Sequence, residues 1–462
     1  MRIESSLVRD IESFILERIS KYRIPSVTIS ITSGDEVIYC RGFGYRDVSK
    51  CIPAEPSTLY GIGSVTKSFT ALGIMKLHED GLLNLDDPVD KYVPLDIKPF
   101  NEDIRIHHLL THSSGIPALA YAEAFIRGTL GLTTDWLPII NPNDIAIFMK
   151  DADKWVDAKP GEKFYYLNEG YVLLGCIISK LSGKKYEDYI VDHIFKPLNM
   201  VNSFFSKEDI EKTGKFATPY IYDKNGMLVE SRFPFGITSD GGIVSNVLDL
   251  ANYIRMYLNR GEFNDKRIIR RESIEAMEKP YIKVPFEYFG GEGYGYGWII
   301  TPNFFNRKLI SHGGSVLVHT AWVGYIPKDD IGIALLSNSS GYPLSNIGLY
   351  VLTRMVNGDL DRLEFIRNEE VFNKLEGTYE TYKGTMRVLI KRNGSFLNLM
   401  IKDRYTESIL PLIPIELSSE KALFYTLINW RRYEVEFRIK PDKIELIHER
   451  YKMIKKSSYI TS

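Results

Sequence analysis

Ser64-Val65-Thr66-Lys67 stands where the stretch Gly61-Ile62-Gly63 gives way to an apolar helical pattern. A serine hydroxyl is a poor nucleophile at neutral pH and needs a base beside it. Three residues along a helix return the chain to the same face, so Lys67 can reach Ser64 and take its proton. The helix N-terminus adds unpaired N–H groups and a positive end, which favour negative charge developing on a substrate oxygen. Serine is also a favoured helix cap, and this pair alone does not separate the two roles.

Two further clusters bear on the choice. Tyr166-Leu167-Asn168 follows Pro160-Gly161 and opens the most apolar helical run of the chain, residues 168–181. A phenol next to a cationic lysine can exchange protons with a nucleophile or leaving group. Asn168 can hydrogen-bond both the lysine and a substrate carbonyl. The adjacent Tyr165 reads as a core aromatic. His312-Gly313-Gly314-Ser315 falls on an expected strand. Paired glycines weaken a strand and mark close approach of a ligand or another backbone. That suits a strand edge presenting the Ser315 N–H to an oxyanion, although a bulge without function would look the same.

The elements that must hold these clusters follow from hydrophobic periodicity. Leu7, Ile11, Phe14, Ile15 and Ile19 recur at helical spacing, and Val27 to Tyr45 alternates about Ser33-Gly34-Asp35 as a hairpin. A helix carrying Phe69, Leu72, Met75 and Leu77 ends at Gly81, and Asn246 with Asp249 reads as a capping pair for residues 248–258. Strands return over 294–338, followed by a helix from Leu344. Sequence-distant strands can then share one sheet around a mostly helical insertion, in which residues 118–160 read as a cap over a cleft. The expected fold class is α+β: an antiparallel sheet flanked by helices with a helical subdomain, then a small antiparallel β-barrel. Boundaries fall at 1–358, a charged linker at 359–371, and 372–462, with turns at Lys383-Gly384, Asn393-Gly394, Ser418-Ser419 and Pro441-Asp442.

A chain of 462 residues exceeds the usual reach of one hydrophobic core. Lys+Arg 58 against Asp+Glu 59 leaves a net charge of -1, so no global field draws nucleic acid or an anionic membrane. The opening residues lack a continuous apolar signal segment, and no stretch is long enough to span a bilayer; the expectation is a cytoplasmic protein. Cys40 and Cys51 flank a strand–turn segment and could pair, but reduced thiols, Cys176 included, fit that compartment better. His107, His108 and His112 cluster without a carboxylate to complete a ligand set, so neither metal nor other cofactor is expected.

Taken in order, Ser-x-x-Lys, Tyr-x-Asn and His-Gly-Gly resemble the penicillin-recognising serine hydrolases, specifically the class C β-lactamase family with its esterase and D-aminopeptidase relatives. The blocks GIGSVTKSFTALGIMKLHEDGLLNLDDPVDKYVP, LLTHSSGIP, PGEKFYYLNEGYVLLG and DGGIVSNVLDLANY extend the likeness over residues 8–357. The resemblance implies Ser64 as acylated nucleophile, Lys67 as base, and Tyr166 as general acid or base. Asn168 would hold lysine and substrate, and the Ser64 and Ser315 N–H groups would form the oxyanion hole. His312, followed by Gly313 and Gly314, stands where many members carry the lysine of Lys-Thr-Gly. A mostly neutral ring there removes a partner for a substrate carboxylate, and turns the expectation from β-lactams towards small esters or peptides. The C-terminal sheet resembles a lipocalin-like appended domain beginning at Leu375-Glu376-Gly377-Thr378-Tyr379. Its role would be to narrow the cleft, to carry a ligand or to form a homo-oligomer. Two rivals stand beside the hydrolase reading: the same fold acting on β-lactams or D-amino-acid peptides, and a non-catalytic binding or scaffold protein.

Overall fold

The computed structural model describes residues 3–134, 144–236, 238–402 and 404–456. They form two compact units, Met1–Val356 and Asn357–Ser462. The first is built on a nine-stranded antiparallel sheet. Its edge-to-edge order is Ile282–Lys283, Gly293–Tyr294, Ile299–Thr301, Leu309–Ser315, Thr320–Ile326, Ile331–Ser337, Ser26–Ser33, Glu36–Asp47 and Ile52–Pro53. The N-terminal hairpin therefore pairs with the last strand of the unit, Val27 opposite Ser337 and Ser33 opposite Ile331. Both central strands are buried along their length, which explains runs such as Ile331–Ser337 with no polar alternation.

Helices cover the sheet. Ser5–Tyr22 buries Ile11, Phe14 and Ile15, and the Phe14 ring stacks on Tyr350 of the helix Leu344–Met355. Val247–Leu258 is capped by Asn246, whose side chain accepts the Leu248 and Asp249 N–H groups as the sequence predicts. Thr66–Glu79 is buried on nearly every face, and Asn168–Ser182 through most of its first three turns. The expected cap, 118–160, contributes the helices Tyr121–Thr129 and Asp144–Phe148 and a 3-10 turn Ala152–Trp155; residues 135–143 lie outside the described residues. None of Cys40, Cys51 and Cys176 is joined in a disulfide.

In the second unit the segment read as a linker is helical over Glu364–Leu375, because Val371, Phe372 and Leu375 fall on one stripe and bury in that unit's own core. Eight strands, from Gly377–Glu380 to Tyr451–Lys455, close into an antiparallel barrel in sequence order. Inward side chains including Tyr379, Val388, Leu399, Leu412, Phe424 and Phe437 fill it as an apolar core. Among the described residues, no helix is long and apolar enough to cross a membrane.

Candidate active site

Ser64 lies in a one-turn 3-10 segment, Gly63–Val65, that runs directly into the helix Thr66–Glu79. Lys67, in the first turn of that helix, is 0% exposed. Its Nζ donates to Ser64 Oγ at 3.1 Å and to the Asp240 carbonyl at 2.7 Å. The nitrogen also lies 4.9 Å from the Tyr166 ring centroid and 5.7 Å from that of Tyr171. Aromatic faces and two polar oxygens thus take the place of water around the buried nitrogen.

Close backbone approach sets the second part of the site. Gly63 has φ +51°, and a Cβ there would come within 2.5 Å of the Ser315 nitrogen. Across from it, a Cβ on Gly314 would meet the Ile62 carbonyl oxygen at 1.9 Å and the Ser64 nitrogen at 2.9 Å. Two glycines therefore let the strand Leu309–Ser315 lie against the Ser64 turn, bringing the Ser64 and Ser315 nitrogens to one place. The turn is pinned from behind, Ile62 N–H donating to Ile243 O at 2.9 Å and Ile243 N–H to Thr66 Oγ1 at 3.2 Å.

His312 is buried on the same strand. Its Nδ1 lies 2.6 Å from the Gly313 carbonyl, which can only accept, so Nδ1 carries the proton and Nε2 accepts from the Tyr294 hydroxyl at 2.9 Å. Burial, with the positive charge of Lys67 nearby, pushes the ring down to about 3, and it is neutral at physiological pH. Both nitrogens are committed inside the protein.

Tyr166 lines the site at the start of the helix Asn168–Ser182, its ring 4.2 Å from that of His112. His112 adopts φ +56° and accepts the Leu167 N–H on Nδ1 at 2.9 Å, which fixes the turn carrying Tyr166. Asn168 reaches the same cavity, but its Nδ2 donates to Glu123 Oε1 at 3.4 Å. The lysine bond expected of Asn168 is taken by the Asp240 carbonyl. Tyr165 is not a core residue: its hydroxyl donates to Asp157 at the surface, since alternation turns it away from Tyr166. His107 pairs with the Tyr296 hydroxyl at 2.8 Å, and His108 Nδ1 accepts the Arg105 N–H at 3.1 Å, so both have structural bonds.

Two cavities meet at Ser64, Tyr166 and Ser315. The smaller, about 280 Å³, is lined by Glu123, Asn168, Asp240 and Arg127. The larger, about 680 Å³, is walled by Phe164, Phe286, Phe289, Tyr294, Trp322 and Leu349. Trp322 thus lines a pocket, whereas Trp298 is core. Ser64 stands where an acid-bearing pocket opens onto an aromatic one.

The Beta-lactamase family profile matches residues 11–352, and its span contains every residue of this site. The chain belongs to the Beta-lactamase family. Relatives of this kind include serine hydrolases, and the fold here is theirs. A solved Pyrococcus abyssi protein, described as an octameric penicillin-binding protein homologue, superposes with TM-score 0.93 at 50% identity, over 97% of this chain and 100% of that one. Protein flp of Staphylococcus aureus strain MW2 is 28% identical over 77% of this chain and 68% of its own. D-amino acid amidase of Ochrobactrum anthropi SV3 shares the fold with TM-score 0.63 at 23% identity, over 76% and 99%. A second profile, the Pab87 octamerisation domain, matches residues 360–454, the barrel read from sequence as lipocalin-like.

Sequence reasoning left four residues of this Beta-lactamase-family site unassigned. Asp240 was visible only as part of the block DGGIVSNVLDLANY, where nothing distinguishes its carbonyl as the lysine's partner. Tyr294 sits in a glycine–tyrosine stretch that reads as a plain strand. Glu169 is buried with Oε1 accepting the Tyr121 N–H at 3.0 Å; desolvation raises its carboxyl to about 7. His112 was set aside with the histidine cluster.

Proposed function

We propose that this chain is a serine hydrolase that forms an acyl-enzyme at Ser64 on ester or peptide substrates. The observation that carries the reading is the buried Lys67 side-chain nitrogen 3.1 Å from an Oγ that opens onto two cavities. Lys67, as the free amine, takes the Ser64 proton as Oγ attacks the substrate carbonyl carbon. The carbonyl π pair moves onto oxygen and is met by the Ser64 and Ser315 N–H groups. Tyr166 passes a proton to the departing alcohol or amine as the C–O or C–N bond breaks. Water then repeats the sequence on the acyl-enzyme and releases the acid.

His312 favours this substrate class over β-lactams. A neutral ring whose two nitrogens already bond Gly313 and Tyr294 offers no cation to a substrate carboxylate. A second reading, peptides or amides of amino acids, D-configured ones included, is favoured by Glu123 beside Asn168 in the smaller cavity, where a carboxylate suits a free ammonium. The match of the barrel to an octamerisation domain, and the octameric relative, support a third element of the proposal: the chain assembles with copies of itself.

Intact-mass analysis after a fluorophosphonate tests the nucleophile. One adduct mapping to Ser64, absent in Ser64→Ala, is expected; an adduct elsewhere, or full turnover by Ser64→Ala, overturns it. Acylation without turnover would support the scaffold alternative. Nitrocefin, p-nitrophenyl esters and aminoacyl anilides run on one preparation separate the substrate classes.

A further inference from the structure

Glu292 takes no part in the chemistry above, yet it is 1% exposed and its side chain receives three successive backbone N–H groups. Tyr288 donates at 3.1 Å and Phe289 at 2.6 Å to Oε1, and Gly290 donates at 3.1 Å to Oε2. A buried carboxyl group is costly to desolvate unless donors meet it, so it fastens the peptide units that supply them. Those units belong to the connection between the strands Ile282–Lys283 and Gly293–Tyr294. The connection returns to the sheet through Gly290 and Gly291 at φ +88° and +81°, a backbone that a β-carbon would strain. Phe289 is seated on Phe304 and Phe305, with ring centroids 4.9 and 5.6 Å apart. Held at these points, the loop presents Phe286, Tyr288 and Phe289 to the larger of the two cavities at Ser64.

The two cavities differ in charge. Glu123, Arg127 and Asp240 line the smaller one. Among the described residues lining the larger one, none is Asp, Glu, Lys or Arg, and its His312 is neutral. An ionised group entering there would shed its water and meet no opposite charge. About 680 Å³ walled by aromatic and aliphatic side chains falls in the size range of a ligand pocket and suits an alkyl or aryl group. Phe286 and Tyr288 are 36% and 62% exposed, so the loop keeps apolar surface that such a group would cover.

We propose that the larger cavity is the specificity pocket for an uncharged alkyl or aryl substituent on one side of the scissile bond, and that Glu292 is the positioning residue that builds one wall of it. The inference rests on the acyl-enzyme reading above and adds which substituent the enzyme selects. With the substrate carbonyl at Ser64, a long apolar substituent lies against Phe286, Tyr288 and Phe289. Each methylene it buries there is worth about fourfold in kcat/KM.

Two ester series on the full-length chain test the pocket: p-nitrophenyl esters from acetate to octanoate, and alkyl acetates from ethyl to octyl followed by proton release. In one series kcat/KM is expected to climb by about fourfold per methylene. It should fall at least about tenfold when the longest chain of that series ends in a carboxylate. Flat profiles in both series, or indifference to the terminal carboxylate, overturn the pocket. Failure of a fluorophosphonate to label Ser64 would instead overturn the acyl-enzyme reading, so the two failures are told apart. Glu292→Ala removes the acceptor from three N–H groups and frees the loop from the cavity. The ratio of longest to shortest ester is taken within each protein, so losses common to both esters cancel. In Glu292→Ala it should drop at least about tenfold, as the loss of two buried methylenes would give, and the drop should lie in KM for the long ester. Glu292→Gln keeps one acceptor oxygen and should fall between wild type and Glu292→Ala. A lowered Tm with the wild-type ratio would make Glu292 a residue of the fold alone and overturn its role. Phe286→Glu keeps the wall testable should Glu292→Ala fail to fold, because Phe286 is partly exposed. It should lower the same ratio and raise kcat/KM for a chain ending in an ammonium; a wild-type ratio overturns the wall.

Discussion

Gly314→Ala tests the oxyanion geometry most sharply. The added Cβ would stand 1.9 Å from the Ile62 carbonyl oxygen. Real Cβ atoms do not come within about 3 Å of a backbone oxygen, so strand and turn must part by roughly 1 Å, and neither partner is a flexible side-chain end. The Ser64 and Ser315 nitrogens sit on opposite sides of that gap, and the shift misplaces one donor against the other. Loss of one oxyanion donor, or a displacement of about 1 Å, costs on the order of a hundredfold in rate. The expected result is a drop of about a hundredfold in kcat/KM for an activated ester, with a matching fall in the rate of fluorophosphonate labelling. Overpacking should add about 1–3 kcal/mol of destabilisation, read as a lower Tm. Gly313→Ala is the comparison, because its Cβ would meet Trp322 Cδ1 at 3.7 Å and Ala321 O at 3.9 Å, ordinary contacts. Its loss should stay under about tenfold. Equal rates for the two variants would refute the claim that backbone approach at Gly314 builds the site.

Three further outcomes follow from buried ionisable groups. Glu169, raised to about 7 by burial, favours the protonated form in the fold, so its contribution is complete below its unfolded value and is lost as pH rises towards about 7. Glu169→Gln should remove a pH-dependent loss of up to about 3 kcal/mol over that window, seen as a flatter plot of Tm against pH. His312, lowered to about 3, makes the opposite contribution: stability falls as pH drops below about 6.5, where only the unfolded chain gains the proton. His312→Gln should weaken that acid sensitivity, and it should leave every inflection of the pH–rate profile between pH 5 and 9 in place; an inflection that disappears would show the ring titrating during turnover. The buried Glu278 accepts from the partly exposed Arg260 at 2.8 and 2.9 Å and Lys308 at 2.9 Å, and from the buried Tyr325 hydroxyl at 3.0 Å. Glu278→Ala leaves the buried Tyr325 hydroxyl without its acceptor, while the partly exposed Arg260 and Lys308 keep water, and should cost about 1–3 kcal/mol in denaturant unfolding.

Local chemistry alone determined much of this protein. Helix periodicity located the elements around Phe69 and Leu174, Asn246 announced its cap, and Ser64 with Lys67 lie one turn apart because three residues along a helix always do. The order of the three motifs was enough to suggest the family. What sequence could not supply were contacts made by backbone atoms or across long separations. The Asp240 carbonyl holds Lys67 from 173 positions away, and a carbonyl looks the same under any residue name. Likewise Tyr165 and Tyr166 differ only in which way one residue of irregular chain turns each ring, and helical burial of Val371 drew the end of a charged linker into a core. Hairpin tips rich in glycine were legible, but the Asn429–Trp430 turn was not, because its second residue defies the local preference that makes such turns readable. The pairing of Val27 with Ser337 was likewise decided only by the closed fold, since a strand's pattern records which face is buried and not which distant strand lies beside it.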